Sequence, residues 1–131
     1  MNKKLAFFML LAVMTVVASA CAMAQAAPKG PVEVKVTASE FKFDAARTTF
    51  KAGTTYRFVV TNTGKINHDF LIMPAGEPDE EKALLLVEDT DLTPGTTLTK
   101  DFVFTQPGDY EFACRVQGHY EAGMVTKITV Q

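Results

Sequence analysis

The last third of the chain reads Asp109-Tyr-Glu-Phe-Ala-Cys-Arg-Val-Gln-Gly-His-Tyr-Glu-Ala-Gly-Met124, in which four residues separate Cys114 from His119 and four separate His119 from Met124. A thiol, an imidazole and a thioether within one short segment are potential ligands for a soft or borderline metal ion. The only other histidine is His68, which precedes the apolar run Phe70-Leu-Ile-Met73 just after a turn at Gly64 and can bring a fourth ligand from a separate strand. One thiolate and two neutral imidazoles in a trigonal set, with a weak thioether on the axis, select a mononuclear, electron-transferring copper ion. Thiolate and thioether suit Cu(I), imidazole suits both oxidation states, and a rigid cage leaves little to rearrange when an electron moves. Taken singly, each residue has a plainer role: His68 as a strand-end histidine bonded to backbone, His119 as a loop histidine, Met124 and Cys114 as core residues. It is their joint placement that points to a metal.

The elements that must position these residues are strands. Strand alternation puts Tyr110, Phe112 and Cys114 on one face and Glu111 and Arg115 on the other, so Cys114 ends a strand pointing inward. Gly118 and Gly123 allow the following loop to fold His119 and Met124 back toward it. Upstream, Val32, Val34 and Val36 share one face of a first strand, with Phe41 and Phe43 continuing in phase. Extended pieces follow at 48–51, 54–61, 68–73, 98–104, 109–114 and 124–130, divided by Gly53, Gly64 and Pro107-Gly108. The pattern is that of an all-β, antiparallel Greek-key β-sandwich of about seven or eight strands. One segment departs from it: Pro78-Asp79-Glu80-Glu81 followed by Lys82-Ala-Leu-Leu-Leu86 reads as one short helix near 78–86.

Residues 1–26 read as a signal peptide, because Lys3 and Lys4 precede an apolar run from Leu5 to Val17 and then small residues. Cleavage is expected at 24/25 or 26/27, with a lipoprotein-like tether at Cys21 as the rival. The apolar run falls short of the roughly 18–20 residues of a spanning helix, and no transmembrane span is expected. Residues 27–131 then form one domain of about 105 residues, an ordinary size for a single sandwich. Losing Lys3 and Lys4 shifts the formal net charge from -2 to -4, which argues against nucleic acid as a partner. Of the two cysteines, the mature chain keeps only Cys114, a lone thiol in a periplasmic or extracytoplasmic setting where thiols oxidise.

The whole mature chain resembles the cupredoxins, the blue type 1 copper family of plastocyanin, azurin and auracyanin. The residues that carry the resemblance are Asn67-His68-Asp69-Phe70, then Pro94-Gly95, then Pro107-Gly108-Asp109-Tyr110-Glu111-Phe112-Ala113-Cys114 leading into Gly118-His119 and Gly123-Met124. The four-residue gaps on both sides of His119 are more like auracyanin than plastocyanin. The resemblance implies that His68, Cys114 and His119 are equatorial copper ligands and Met124 the axial one. It also implies that the edge of His119 reaches the surface as the route for the electron, with Met73-Pro74-Ala75 completing an apolar docking patch. In the family an asparagine commonly follows the first histidine and ties its strand to the residue after the cysteine. Here those positions hold Asp69 and Arg115, which form either an ion pair that replaces the tie or two solvated surface charges.

The implied function is one-electron transfer between larger redox proteins such as c-type cytochromes or oxidases, by a monomer that turns over no substrate. A copper carrier or scavenger that hands over the ion itself is the alternative. Multicopper oxidase chemistry needs more histidines than two. A Cys114–His119 nucleophile pair has nothing to orient it as a triad, and zinc would leave Met124 without a role as ligand. The acidic residues Glu77, Asp79, Glu80, Glu81, Glu88, Asp89 and Asp91 either steer a basic partner or form a solvated face.

Overall fold

The computed structural model describes residues 30–131, so the signal peptide, its cleavage sites and Cys21 lie outside the described residues. Nine strands follow in chain order: β1 (Val32–Ser39), β2 (Lys42–Ala45), β3 (Thr49–Phe50), β4 (Thr55–Asn62), β5 (Phe70–Pro74), β6 (Leu85–Val87), β7 (Thr97–Val103), β8 (Gly108–Ala113) and β9 (Val125–Val130). They form a four-stranded sheet in the order β2-β1-β4-β7 and a five-stranded sheet in the order β3-β9-β8-β5-β6. The chain passes repeatedly between the two layers, which gives the sandwich its Greek-key connections.

Period-two alternation decides which side chains meet between the layers. Val34, Val36 and Ala38 of β1, Tyr56, Phe58 and Val60 of β4, Phe70 and Ile72 of β5, Phe112 of β8, and Ile128 and Val130 of β9 are all buried in one core. Phe50 sits at its centre, with ring centroids 4.9 Å from Tyr56, 5.1 Å from Phe104 and 5.9 Å from Phe112. Each such ring contributes about 1.5–3 kcal/mol of burial. The buried Tyr56 hydroxyl accepts the Lys51 N–H at 2.8 Å, so its polar end is satisfied.

Both sheets are mixed rather than purely antiparallel. β1 runs parallel to β4 and β3 parallel to β9, because the short β2 and β3 turn the chain and change sheets before β4 returns beside β1. The helix expected near 78–86 is a single 3-10 turn, Glu80–Lys82, with Asp79 accepting from the Glu81 N–H. It stops because β5 offers an open edge. The Leu84 N–H donates to the Ile72 carbonyl at 2.8 Å, and Leu85–Val87 pairs with β5, burying Val87. Phe41 does not share the phase of Phe43. It lies in the turn after β1, 41% exposed, whereas Phe43 in β2 is in the core.

Candidate metal centre

Cys114 follows β8 directly, Met124 precedes β9, and the two are clasped by the chain itself. The Cys114 N–H donates to the Met124 carbonyl at 3.1 Å and the Met124 N–H to the His119 carbonyl at 3.0 Å. Between them His119 N–H bonds to Val116 O at 2.9 Å and Gly123 N–H to Tyr120 O at 2.9 Å. Gly118 and Gly123 have φ of 82° and 99°, the left-handed region that lets so short a loop reverse without strain. A β8–β9 hairpin therefore brings Cys114, His119 and Met124 together through backbone bonds alone.

His68 arrives from the other side, on the segment entering β5. Asn62, fully buried at the end of β4, organises that segment: its amide donates to Ile66 O at 2.8 Å and Leu92 O at 2.9 Å, and its carbonyl oxygen accepts from Gly64 N–H at 2.8 Å. His68 N–H adds a bond to Leu92 O at 3.3 Å. Since β5 lies beside β8, with Leu71 opposite Ala113, His68 lands next to the cysteine loop.

The candidate donor atoms of His68, Cys114 and His119 converge. His68 Nδ1 and His119 Nδ1 are 3.2 Å apart, His119 Nδ1 is 3.3 Å from Cys114 Sγ, and the three donors lie within 4.8 Å of one another. His68 and Cys114 are completely buried and His119 is 7% exposed, while Met124 is also completely buried. Burial, with the neighbouring His119, holds the His68 imidazolium below the usual histidine range, so the ring is a neutral donor. Burial first, then the Asp69 charge, pushes the Cys114 thiol up to about 12. A thiol so disposed is no nucleophile at neutral pH, and no substrate could reach it. Two imidazoles and one thiol that only a metal would deprotonate fit a type 1 copper centre.

A model of the cupredoxin-like domain matches residues 7–129. The chain belongs to the cupredoxin-like family. It is 34% identical over 115 residues to the copper-resistant cuproprotein CopI of Rubrivivax gelatinosus, covering 80% of this chain and 70% of that protein. It is 36% identical over 105 residues to CopI of Vibrio cholerae, covering 73% and 59%. Among solved structures, the reduced auracyanin of Roseiflexus castenholzii aligns with a TM-score of 0.61 at 22% identity, covering 80% of this chain and 99% of that one. Rusticyanin from Thiobacillus ferrooxidans aligns with a TM-score of 0.61 at 20% identity, covering 76% and 77%. These structures share the cupredoxin fold with the chain.

Asp69 and Arg115 form neither an ion pair nor two solvated surface charges. Continuing the β5–β8 register places Asp69 opposite Arg115, and there the Asp69 carboxylate accepts the backbone N–H of Arg115 at 2.7 Å. The tie survives, but it ends on the main chain. Burial holds the Asp69 carboxyl above its usual range, and the Arg115 N–H acts against that. The guanidinium turns instead to Glu77 O at 2.7 Å, lies 4.0 Å over the Tyr120 ring and sits 3.6 Å from Glu111. Glu111 is only 3% exposed, bonded by Tyr120 O–H at 3.0 Å and Gly76 N–H at 3.1 Å. Met73 is fully buried beneath this cluster with Leu71 and Ala113, so it forms no part of a docking patch.

Sequence reasoning passed over Asn62, Glu111, Glu40 and Phe41. The Phe41 ring meets His119 edge-on with centroids 5.0 Å apart, and Glu40 lies 3.7 Å from His68 Nε2.

Proposed function

We propose that this chain is an exported, mononuclear type 1 copper protein that exchanges single electrons at an ion it retains, in the setting of copper tolerance. The observation that carries the reading is burial: His68, Cys114 and His119 converge and, like Met124, are buried, with only His119 showing any exposure, at 7%, which suits retention. Copper held there would supply one-electron exchange between Cu(I) and Cu(II). Cys114 would contribute the thiolate, His68 and His119 their Nδ1 atoms, and Met124 a thioether. His119, as the most exposed of the ligands, is the point of electron entry, with Phe41 beside it. Redox proteins such as c-type cytochromes or oxidases are the proposed donors and acceptors, and nothing in this reading requires catalytic turnover. The leader at 1–26 supports a periplasmic or extracytoplasmic location. Among the described residues no helix is long and apolar enough to cross a membrane.

The name of the relatives, copper-resistant cuproprotein, favours a second reading, a carrier or scavenger that passes on copper itself. One experiment separates them. Cu(II) added to the purified chain should give intense visible absorption that reduction abolishes and that Cys114→Ser never develops. The reduced protein is then mixed with an oxidised haem protein and a copper chelator. Electron transfer with copper kept supports the first reading; copper lost to the chelator without electron transfer supports the second. A wild-type chain that stays colourless refutes the first reading.

A further inference from the structure

The Nε2 atom of His68 is buried with no hydrogen-bond partner. When Nδ1 of a histidine faces a metal site, its proton must sit on the other nitrogen, and a metal-binding imidazole almost always donates that N–H to a carboxylate, carbonyl or water. Leaving an N–H buried without an acceptor is costly. The charged group facing His68 Nε2 is the carboxylate of Glu40, with Oε1 3.7 Å away. Closing that gap by roughly 0.5–1 Å would complete a charge-assisted bond.

Glu40 is not a loose surface acid. Its Oε1 accepts the N–H groups of Lys65 at 2.6 Å and Ile66 at 3.2 Å, so the turn after β1 is fastened to the segment that carries His68. Gly64 leaves it the room: a Cβ at that position would stand 2.9 Å from the Glu40 carboxyl carbon. The same segment is held from its other side by Asn62. The carboxylate is thus fixed by the backbone while it faces the ligand, which is how a group acting through a ligand must be built.

We propose that Glu40 is a positioning residue of the copper centre: its carboxylate holds the proton of His68 on Nε2 and so keeps the Nδ1 lone pair directed at the metal. The inference rests on the reading of the site as a copper centre. Its negative charge also favours Cu(II) over Cu(I). Glu40→Gln is the informative substitution. The amide oxygen, standing where Oε1 was, can still accept from Lys65 and Ile66 and still faces His68 Nε2, but without the negative charge. The hold on the Nε2 proton weakens, so a larger share of His68 carries its proton on Nδ1, where it blocks the metal.

The test combines ring 15N chemical shifts of His68 in the metal-free chain with competition for Cu(II) and Cu(I) by chelators at fixed pH. Glu33→Gln, the same charge loss on an exposed residue of β1, is the control. In the wild type His68 should be the Nε2–H tautomer. In Glu40→Gln it should shift toward Nδ1–H, with Cu(II) affinity falling roughly 10–100-fold and Cu(I) affinity falling less. A tenfold difference between the two oxidation states raises the potential by about 59 mV. Glu33→Gln should change neither. A wild-type His68 in the Nδ1–H form overturns the proposal, as does Glu40→Gln with unchanged tautomer and Cu(II) affinity. Failure of the wild type itself to bind copper would instead overturn the reading on which the proposal rests.

Discussion

Replacing Asp69 by alanine and by asparagine separates the two consequences of its carboxylate. Asp69 is 8% exposed and accepts the Arg115 N–H at 2.7 Å. Alanine leaves that part-buried N–H without an acceptor, a cost of about 1–3 kcal/mol. It also removes a carboxylate whose burial disfavours its charge, so the net loss should fall in the lower half of that range. Asparagine keeps an oxygen for the N–H, gives up the charge assistance and buries no charge; these changes oppose each other and should nearly cancel, within about 0.5 kcal/mol. The pH dependence has a definite sign. Because the folded-state pKa of Asp69 is raised, the native state binds more protons than the unfolded chain in that window, and this residue's contribution falls as pH rises from about 4 upward. The asparagine variant should therefore gain on the wild type between pH 4 and pH 7. Urea unfolding of the metal-free protein at both pH values is the assay. Alanine should lower the midpoint by roughly 0.5–1.5 M at constant slope. Equal losses for alanine and asparagine, or no loss for either, would refute the role assigned to the Asp69–Arg115 contact.

Arg115→Ala should leave that contact and the copper spectrum intact, since the bond ends on the main chain. It should nevertheless destabilise the fold by about 1–3 kcal/mol, because the buried Glu111 loses its cation while keeping Tyr120 and Gly76; urea titration and Cu(II) absorption together check this. Copper uptake should release the Cys114 proton, whose pKa is pushed up to about 12, so apparent Cu(II) affinity should rise about tenfold per pH unit from this group across pH 6–8. A flat profile in chelator competition would contradict it. Met124→Leu, a swap costing under about 1.5 kcal/mol in a core, should keep copper bound and raise the reduction potential, since Cu(II) loses a donor. An unchanged potential in voltammetry would remove Met124 from the proposed ligand set.

The sequence was most informative where a single period governed several residues. Phe112 and Cys114 point inward because strand alternation leaves no other choice, and the glycine-bounded loop then had to return His119 and Met124 to the same place. The stretch from Leu84 to Val87 misled because its composition suits a helix; what decided it was the open edge of β5, a tertiary partner that local pattern does not reveal. Arg115 was assigned to the right neighbour but through the wrong atoms. Registry brings positions together, whereas the direction of a long side chain depends on Glu111 in β8, Tyr120 in the ligand loop and the Glu77 carbonyl after β5. Glu40 and Asn62 were invisible for a related reason: each acts on the segment before His68 from another part of the chain, without a motif of its own.

The acidic stretch has a consequence apart from any partner it attracts. β6 is the outermost strand of the five-stranded sheet, only three residues long, and Leu84 and Leu86 are exposed there. An apolar strand at a sheet border is a template on which a second copy can add its own strand. Here the border is cut short and bracketed by Glu80, Glu81 and Lys82 on one side and Glu88 and Asp89 on the other. A neighbouring copy approaching in register would meet like charges before it could form more than a few ladder bonds, so those residues act as gatekeepers against edge-to-edge aggregation.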